Sequence, residues 1–205
     1  MIDKNKLIEN LQKRGYEVIS LATGAEAAAW LDAHIQNTTV GIGGCWTAHQ
    51  LELDKVLGKK NEVFWHWLPE HVEKYGSANA VRDKAALAEV YICSANAMTM
   101  SGEMVNIDGT GNRLASLAYG HKHQYLVVGM NKVCGSDVDG ALKRARNVAA
   151  PTNAQRFGLS TPCTKTGACA NCKSPDTICC QFLITRYSKH PGRIHVILVN
   201  DNLGF

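Results

Sequence analysis

The chain has 205 residues, 45% apolar and 20% charged, a balance that can bury a core and excludes a disordered polymer. Its formal net charge is +4 and it has no long run of lysine or arginine, so nothing electrostatic points to nucleic acid. No stretch approaches the roughly 18 apolar residues that a membrane span needs. The polar start, Met1-Ile2-Asp3-Lys4-Asn5-Lys6, lacks an apolar signal core, and the expected location is the cytoplasm.

Strand and helix patterns alternate from the start. Leu7, Ile8 and Leu11 share one face of a predicted helix over 3–14, and Gly15 offers its stop. A strand follows over 16–21. Thr23-Gly24-Ala25-Glu26 is a capping box that opens an alanine-rich helix through Ile35. Thr38 to Ile42 reads as a strand running into Gly43-Gly44, and Thr47-Ala48-His49-Gln50 as a second capping box for a helix through Leu57. A strand over 62–68 and a polar helix over 70–87 come next. Strands are then predicted at Val90–Cys93 and Met104–Ile107, with a short helix over 113–119. Tyr125 to Val128 is apolar on both faces and should lie mid-sheet. Ser136 to Asp139 cap a helix through Val148 that Pro151 should end. Two closing strands, 181–187 and 193–199, flank the turn His190-Pro191-Gly192. Repeated strand–helix units imply an α/β fold with a mostly parallel sheet flanked by helices.

Eight cysteines are the unusual number, and five of them, Cys163, Cys169, Cys172, Cys179 and Cys180, fall within eighteen residues. In a cytoplasmic chain such crowding reads as metal ligation or redox chemistry. The Cys169-x2-Cys172 pair puts two thiolates on one centre, and two more complete a tetrahedral zinc site or an iron–sulfur cube. No histidine lies nearby, and the outlying spacings are irregular. These features favour [4Fe–4S], with zinc as the alternative. Adjacent residues do not easily share one centre, so either Cys179 or Cys180 is the fourth ligand. The segment 161–180 is an insertion with almost no apolar residues of its own.

Two loops suit a ligand. Gly43 and Gly44 lead from a strand toward Thr47, and glycines let backbone N–H groups approach a phosphate or carboxylate. The run from Ser94 to Arg113 packs Asn96, Glu103, Asp108, Asn112 and Arg113 among glycines and hydroxyls. It follows a buried strand, where open α/β sheets bind ligands. Glu103 could serve as general base or nucleophile and Arg113 as an acid clamp. Asn131-Lys132 follow the strand ending at Gly129 and reach toward the same crevice. The His121-x-His123 pair reads as solvated loop. Trp65-His66-Trp67 reads as strand packing, with an aromatic wall as the second reading.

Gly43-Gly44-x-x-Thr47, Ser94-Ala95-Asn96-Ala97, the run Val105 through Arg113, Val128 through Lys132, Ala149-Ala150-Pro151, Thr161-Pro162-Cys163 and Leu198-Val199-x-x-x-Leu203-Gly204 together resemble the LUD domain, the lactate-utilisation family. The likeness covers about residues 38–205. It implies one domain over 1–205, with 1–37 as a lead-in and 161–180 as the metal-binding insertion, and a fold like that of NagB, ribose-5-phosphate isomerase and the CoA transferases. It also implies a place in a lactate-oxidising system that contains iron–sulfur proteins. The partners expected are a small organic acid or phosphorylated ligand, an iron–sulfur redox protein and a second copy of the chain. Two other readings stand beside it: a non-redox isomerase or CoA-transferase-like enzyme with structural zinc and Glu103 as base, and a regulatory subunit that binds the ligand without turnover.

Overall fold

The computed structural model describes residues 2–205, and Met1 lies outside them. Its centre is made by the apolar strand runs. β1 (Glu17–Leu21), β9 (Ile194–Val199), β7 (His123–Gly129), β4 (Val90–Cys93), β2 (Thr39–Ile42) and β3 (Glu62–Trp65) lie side by side in that order. Every pairing in this sheet is parallel. β7 and β9 occupy the interior and are buried over nearly their whole length, as expected where helices cover both faces of a parallel sheet. The core around them takes Leu7 and Leu11 from α1 (Lys4–Lys13) and Ala27 and Leu31 from α2 (Gly24–His34). Half of the capping box at α2 forms as read: Glu26 N donates to Thr23 Oγ1 at 3.2 Å, while the Glu26 carboxylate accepts from Ala22 N, one residue before the cap, at 2.9 Å.

A second sheet has three antiparallel strands, β5 (Ala97–Met98), β6 (Met104–Asp108) and β8 (Gln181–Thr185). The strand read at 104–107 therefore belongs here and not to the parallel sheet. The two closing strands also part company. β8 joins β6, whereas β9 crosses into the main sheet between β1 and β7, so the turn at 190–192 joins two sheets rather than a hairpin.

The helix expected over 47–57 is two, α3 (Trp46–Gln50) and α4 (Leu53–Leu57), because Glu52 takes a left-handed conformation with φ 47°. Thr47 is inside α3 and caps nothing. The helix expected over 70–87 is likewise split, into α5 (Pro69–Tyr75) and α6 (Ala78–Ala86), at Gly76 with φ 87°. The short helix forms as α7 (Asn112–Ala118). Pro151 does not end its helix. α8 (Val138–Arg144) passes through a π-turn at Ala145–Ala149 into α9 (Ala150–Arg156). Pro151 sits in the first turn of α9, where the wider turn removes the need for its missing N–H. The segment after Ser160 is mostly irregular and holds one short helix, α10 (Pro162–Thr166). No helix among the described residues is long and apolar enough to cross a membrane.

Candidate functional site

Five adjacent parallel strands deliver their carboxyl ends to one side of the sheet. β2 runs into Gly43-Gly44-Cys45, β3 into His66-Trp67, β4 into Ser94-Ala95-Asn96, β7 into Met130-Asn131-Lys132, and β9 toward Leu203-Gly204-Phe205. The chain goes out from β2 to β3 and returns past β2 to form β4. Crevices open at such reversals. Here a cavity of about 550 Å³ is lined by residues of all five ends, by the loop after β6 and by one side of α9.

Of the residues read from the sequence, Gly44, Thr47, Asn96, Asp108, Asn112, Arg113 and Lys132 line this cavity. Gly43 lies behind it, its carbonyl accepting from the Trp65 indole N–H at 2.9 Å. Asn131 is also outside the lining: its side-chain oxygen accepts from Leu203 N at 3.2 Å and its carbonyl from Arg144 Nη2 at 2.9 Å. Glu103 is placed elsewhere. It is 9% exposed, paired with Arg14 at the C-cap of α1, and accepts from the Ser101 hydroxyl at 2.6 Å. Burial opposes its charge, but the Ser101 and Thr99 hydroxyls and the Arg14 cation hold its carboxyl below the usual range. Glu103 thus clamps the tight 99–103 turn to α1, away from the cavity.

The electrostatics of the cavity are one-sided. Arg82, Arg113, Lys132 and Arg156 line it, and among the described residues its one acidic side chain is Asp108. That carboxylate is already spent. It accepts from Arg113 Nε at 2.9 Å and from the N–H groups of Thr110 and Gly111 at 2.9 and 2.8 Å. The rest of the Arg113 guanidinium faces Asn106, the Ile107 carbonyl and the Cys93 sulfur. Arg113 therefore braces the loop and sets a positive potential from below.

Among the described residues, Lys132 has no carboxylate partner, and the only negative group beside it is the low-lying Cys93 sulfur. It is 3% exposed, and its ammonium donates to two neutral hydroxyls, Ser94 Oγ at 2.8 Å and Thr47 Oγ1 at 3.1 Å. No carboxylate among the described residues forms an ion pair with it. Burial pushes its amine down to about 8, and the Arg144 and Arg113 charges add to this against the neighbouring Cys45 and Cys93. Cys45 and Cys93 share a hydrogen bond in the buried floor. Cys45 donates and its thiol is pushed up, while Cys93 accepts and is held low.

The depressed lysine makes a pH prediction with a definite sign. Below about pH 8 the fold carries a buried ammonium; above it the folded lysine has lost its proton while an unfolded lysine keeps one up to about 10.4. The folded state then binds fewer protons, so this group's contribution to stability grows as pH rises from about 8 to 10. Lys132→Met lacks the effect. The difference in thermal midpoint between that variant and the parent protein should shrink steadily across this range in a differential scanning fluorimetry series; a constant difference would contradict it.

Several lining residues were not read from the sequence as ligand-binding, although an aromatic wall was the second reading for Trp65-His66-Trp67. His66 and Trp67 lie beyond β3, and Trp67 stacks on Trp65 at 5.3 Å, so the aromatic wall exists. Trp46 stacks on Phe205 at 5.8 Å. The Arg156 guanidinium lies 4.7 Å from the Trp67 ring and 5.1 Å from that of Trp46, within cation–π range. Burial and the Arg82 charge push His66 down to about 4, which keeps it neutral. His121 is buried rather than solvated, stacked on Tyr91 at 4.7 Å and bonded to the Ala88 carbonyl at 2.6 Å.

The cysteine segment abuts the same crevice. Ile178 lines the cavity, and Cys180 N donates to the Asp108 carbonyl at 3.0 Å. Burial, reinforced by Cys169, Cys163, Cys172 and Cys180, pushes the Cys179 thiol up to about 11, so the five sulfurs share one neighbourhood. No three Cys, His, Asp or Glu side chains among the described residues stand close enough to hold one ion.

Open α/β sheets carry their crevices at the carboxyl edge, and in this chain that crevice is lined mostly by cations. The LUD domain family model matches residues 4–199, and the chain belongs to that family. Among solved structures, the crystal structure of a DUF162 family protein from Deinococcus radiodurans is similar, with a TM-score of 0.53 over 96% of this chain and 95% of that one at 12% identity. At that identity the likeness speaks for the fold. No curated protein shows significant similarity to the chain.

Proposed function

We propose that the protein binds a small organic acid or phosphorylated metabolite in the crevice at the carboxyl edge of its sheet, as a component of a lactate-utilisation system. The observation that carries this reading is Lys132. An ammonium held in the interior by two neutral hydroxyls is costly, and an anion in the adjoining cavity supplies what the fold withholds. Arg82 and Arg156, which line the same cavity, offer a second contact to a carboxylate or phosphate, while Asn96 and Asn112 orient it. Isothermal titration of the full chain with oxalate and with inorganic phosphate tests the reading. Saturable binding of either supports it, and binding of neither overturns it.

The proposal extends to the cysteines. Cys163, Cys169, Cys172 and one of Cys179 and Cys180 would hold a [4Fe–4S] centre, with zinc the alternative for the same ligands. The donor chemistry fits, since four soft thiols from one short segment suit an iron–sulfur or zinc centre. The geometry requires the irregular chain to draw the sulfurs closer on loading, because no three of them converge. Such a centre would supply electron transfer, and its position against Ile178 and Asp108 puts it beside the ligand. Protein purified without oxygen should contain iron and sulfide and show broad visible absorption, and Cys172→Ser should lose both. Metal analysis that finds neither iron nor zinc, or full retention in the variant, would remove this part of the proposal. Zinc in a colourless protein would favour the structural-metal reading.

A further inference from the structure

Resting on the anion-site reading, we infer that Lys132 condenses with the carbonyl group of a 2-oxo acid in the crevice, so that the site holds its ligand as an imine. Four features of the geometry carry this. The amine ends in the cavity lining and is shielded from bulk water, so its nucleophilicity is not masked by hydration. Its two bonded partners are hydroxyls, Ser94 and Thr47, which accept from a neutral amine as well as from an ammonium and can return a proton. The space beside the amine is kept open by Gly204: a Cβ there would lie 2.7 Å from Nζ and 2.6 Å from the Thr47 hydroxyl. The cations Arg82 and Arg156 line the same cavity and favour an acid group on the ligand.

The groups around the amine favour it over its neighbours. Arg113 and Arg144 lower its proton affinity, Cys45 and Cys93 raise it, and burial is the largest influence. Cys45, the other nucleophile on the lining, has its thiol pushed up by its bond to Cys93 and stays protonated. At pH 7 about a tenth of an amine with its midpoint near 8 is neutral, against fewer than about one in a thousand for a solvated lysine.

The step balances without a further reactant. The amine nitrogen attacks the carbonyl carbon, the carbonyl π pair moves to oxygen, and a nitrogen proton passes to that oxygen through a hydroxyl. The carbinol hydroxyl takes one proton from solvent and leaves as water while the nitrogen lone pair forms the C=N bond. The nitrogen keeps its remaining proton, so the product is an iminium that carries a positive charge where the buried ammonium stood.

The test uses the full chain with pyruvate as probe and cyanoborohydride as trap near pH 7, followed by digestion and peptide mass spectrometry. The peptide containing Lys132 should gain the mass of pyruvate less one oxygen, on the order of a hundredfold faster than surface lysines, from the difference in neutral amine. Excess oxalate, which has no ketone, should suppress the labelling. Ser94→Ala, which keeps the amine, should slow it about tenfold. Unlabelled Lys132 in a protein that still binds oxalate or phosphate by titration overturns the imine and leaves the anion site standing. Failure to bind either anion as well takes down both. Labelling of Lys132 at the rate of surface lysines also overturns the inference.

Discussion

Lys132→Met is expected to raise the thermal stability of the ligand-free protein while weakening oxalate binding at least tenfold. The two effects share one cause. Methionine fills much the same volume with no charge to desolvate, so the folded protein gains about 1–3 kcal/mol. A charge-assisted hydrogen bond to an anion contributes about 1.5–3 kcal/mol, and methionine cannot make it. An ordinary structural residue would lose stability on replacement and leave binding alone. In the parent protein, affinity should also fall about tenfold per pH unit above pH 8, where the empty site loses its proton and the anion must recover it. Scanning fluorimetry and titration calorimetry read both quantities. A destabilised variant with unchanged affinity would make Lys132 structural.

Arg113→Ala should be the most damaging change near the crevice, at about 3–5 kcal/mol, the usual result of removing one partner of a buried ion pair. Asp108 would keep its backbone donors but lose its cation, and the Asn106 side chain and the Ile107 carbonyl would lose a donor too. In a chain of this length the thermal midpoint should fall by roughly 10 °C or more. The double variant with Asp108→Ala should recover part of the loss, because the unpaired carboxylate goes with it. Strictly additive losses in chemical denaturation would show that the pair is not coupled.

Much of the parallel sheet was legible because its strands are apolar on both faces, as at Val90–Cys93 and Tyr125–Val128, and that pattern is local. What failed was non-local. Met104–Asp108 is as buried as any central strand despite Asn106 and Asp108, and only its pairing with Gln181–Thr185 puts it in the second sheet. The turn at Pro191-Gly192 looks like a hairpin turn, and strand pairing across the molecule overrides it. The helix break at Glu52 has no signal, since glutamate rarely takes positive φ. In the site, the residues that follow strand ends were found because the topology of α/β sheets predicts where loops converge. Arg82, Trp46, Arg156 and Phe205 reach the cavity from helices and the last residues of the chain, where no motif marks them. Glu103 illustrates the reverse error of composition: a carboxylate in a ligand-like loop, neutralised by an arginine nearly ninety positions earlier.

The π-turn at Ala145–Ala149 has a consequence for how the crevice tolerates insertions and deletions. It puts one extra residue into a helix whose later part carries Asn153 and Arg156 to the cavity wall. Winding the same residues as a regular α-helix would turn everything downstream by about 100° and swing Asn153 and Arg156 away from the opening. The wide turn absorbs the extra residue instead, so deleting one residue there would restore regular winding and leave the angular phase of this wall nearly unchanged.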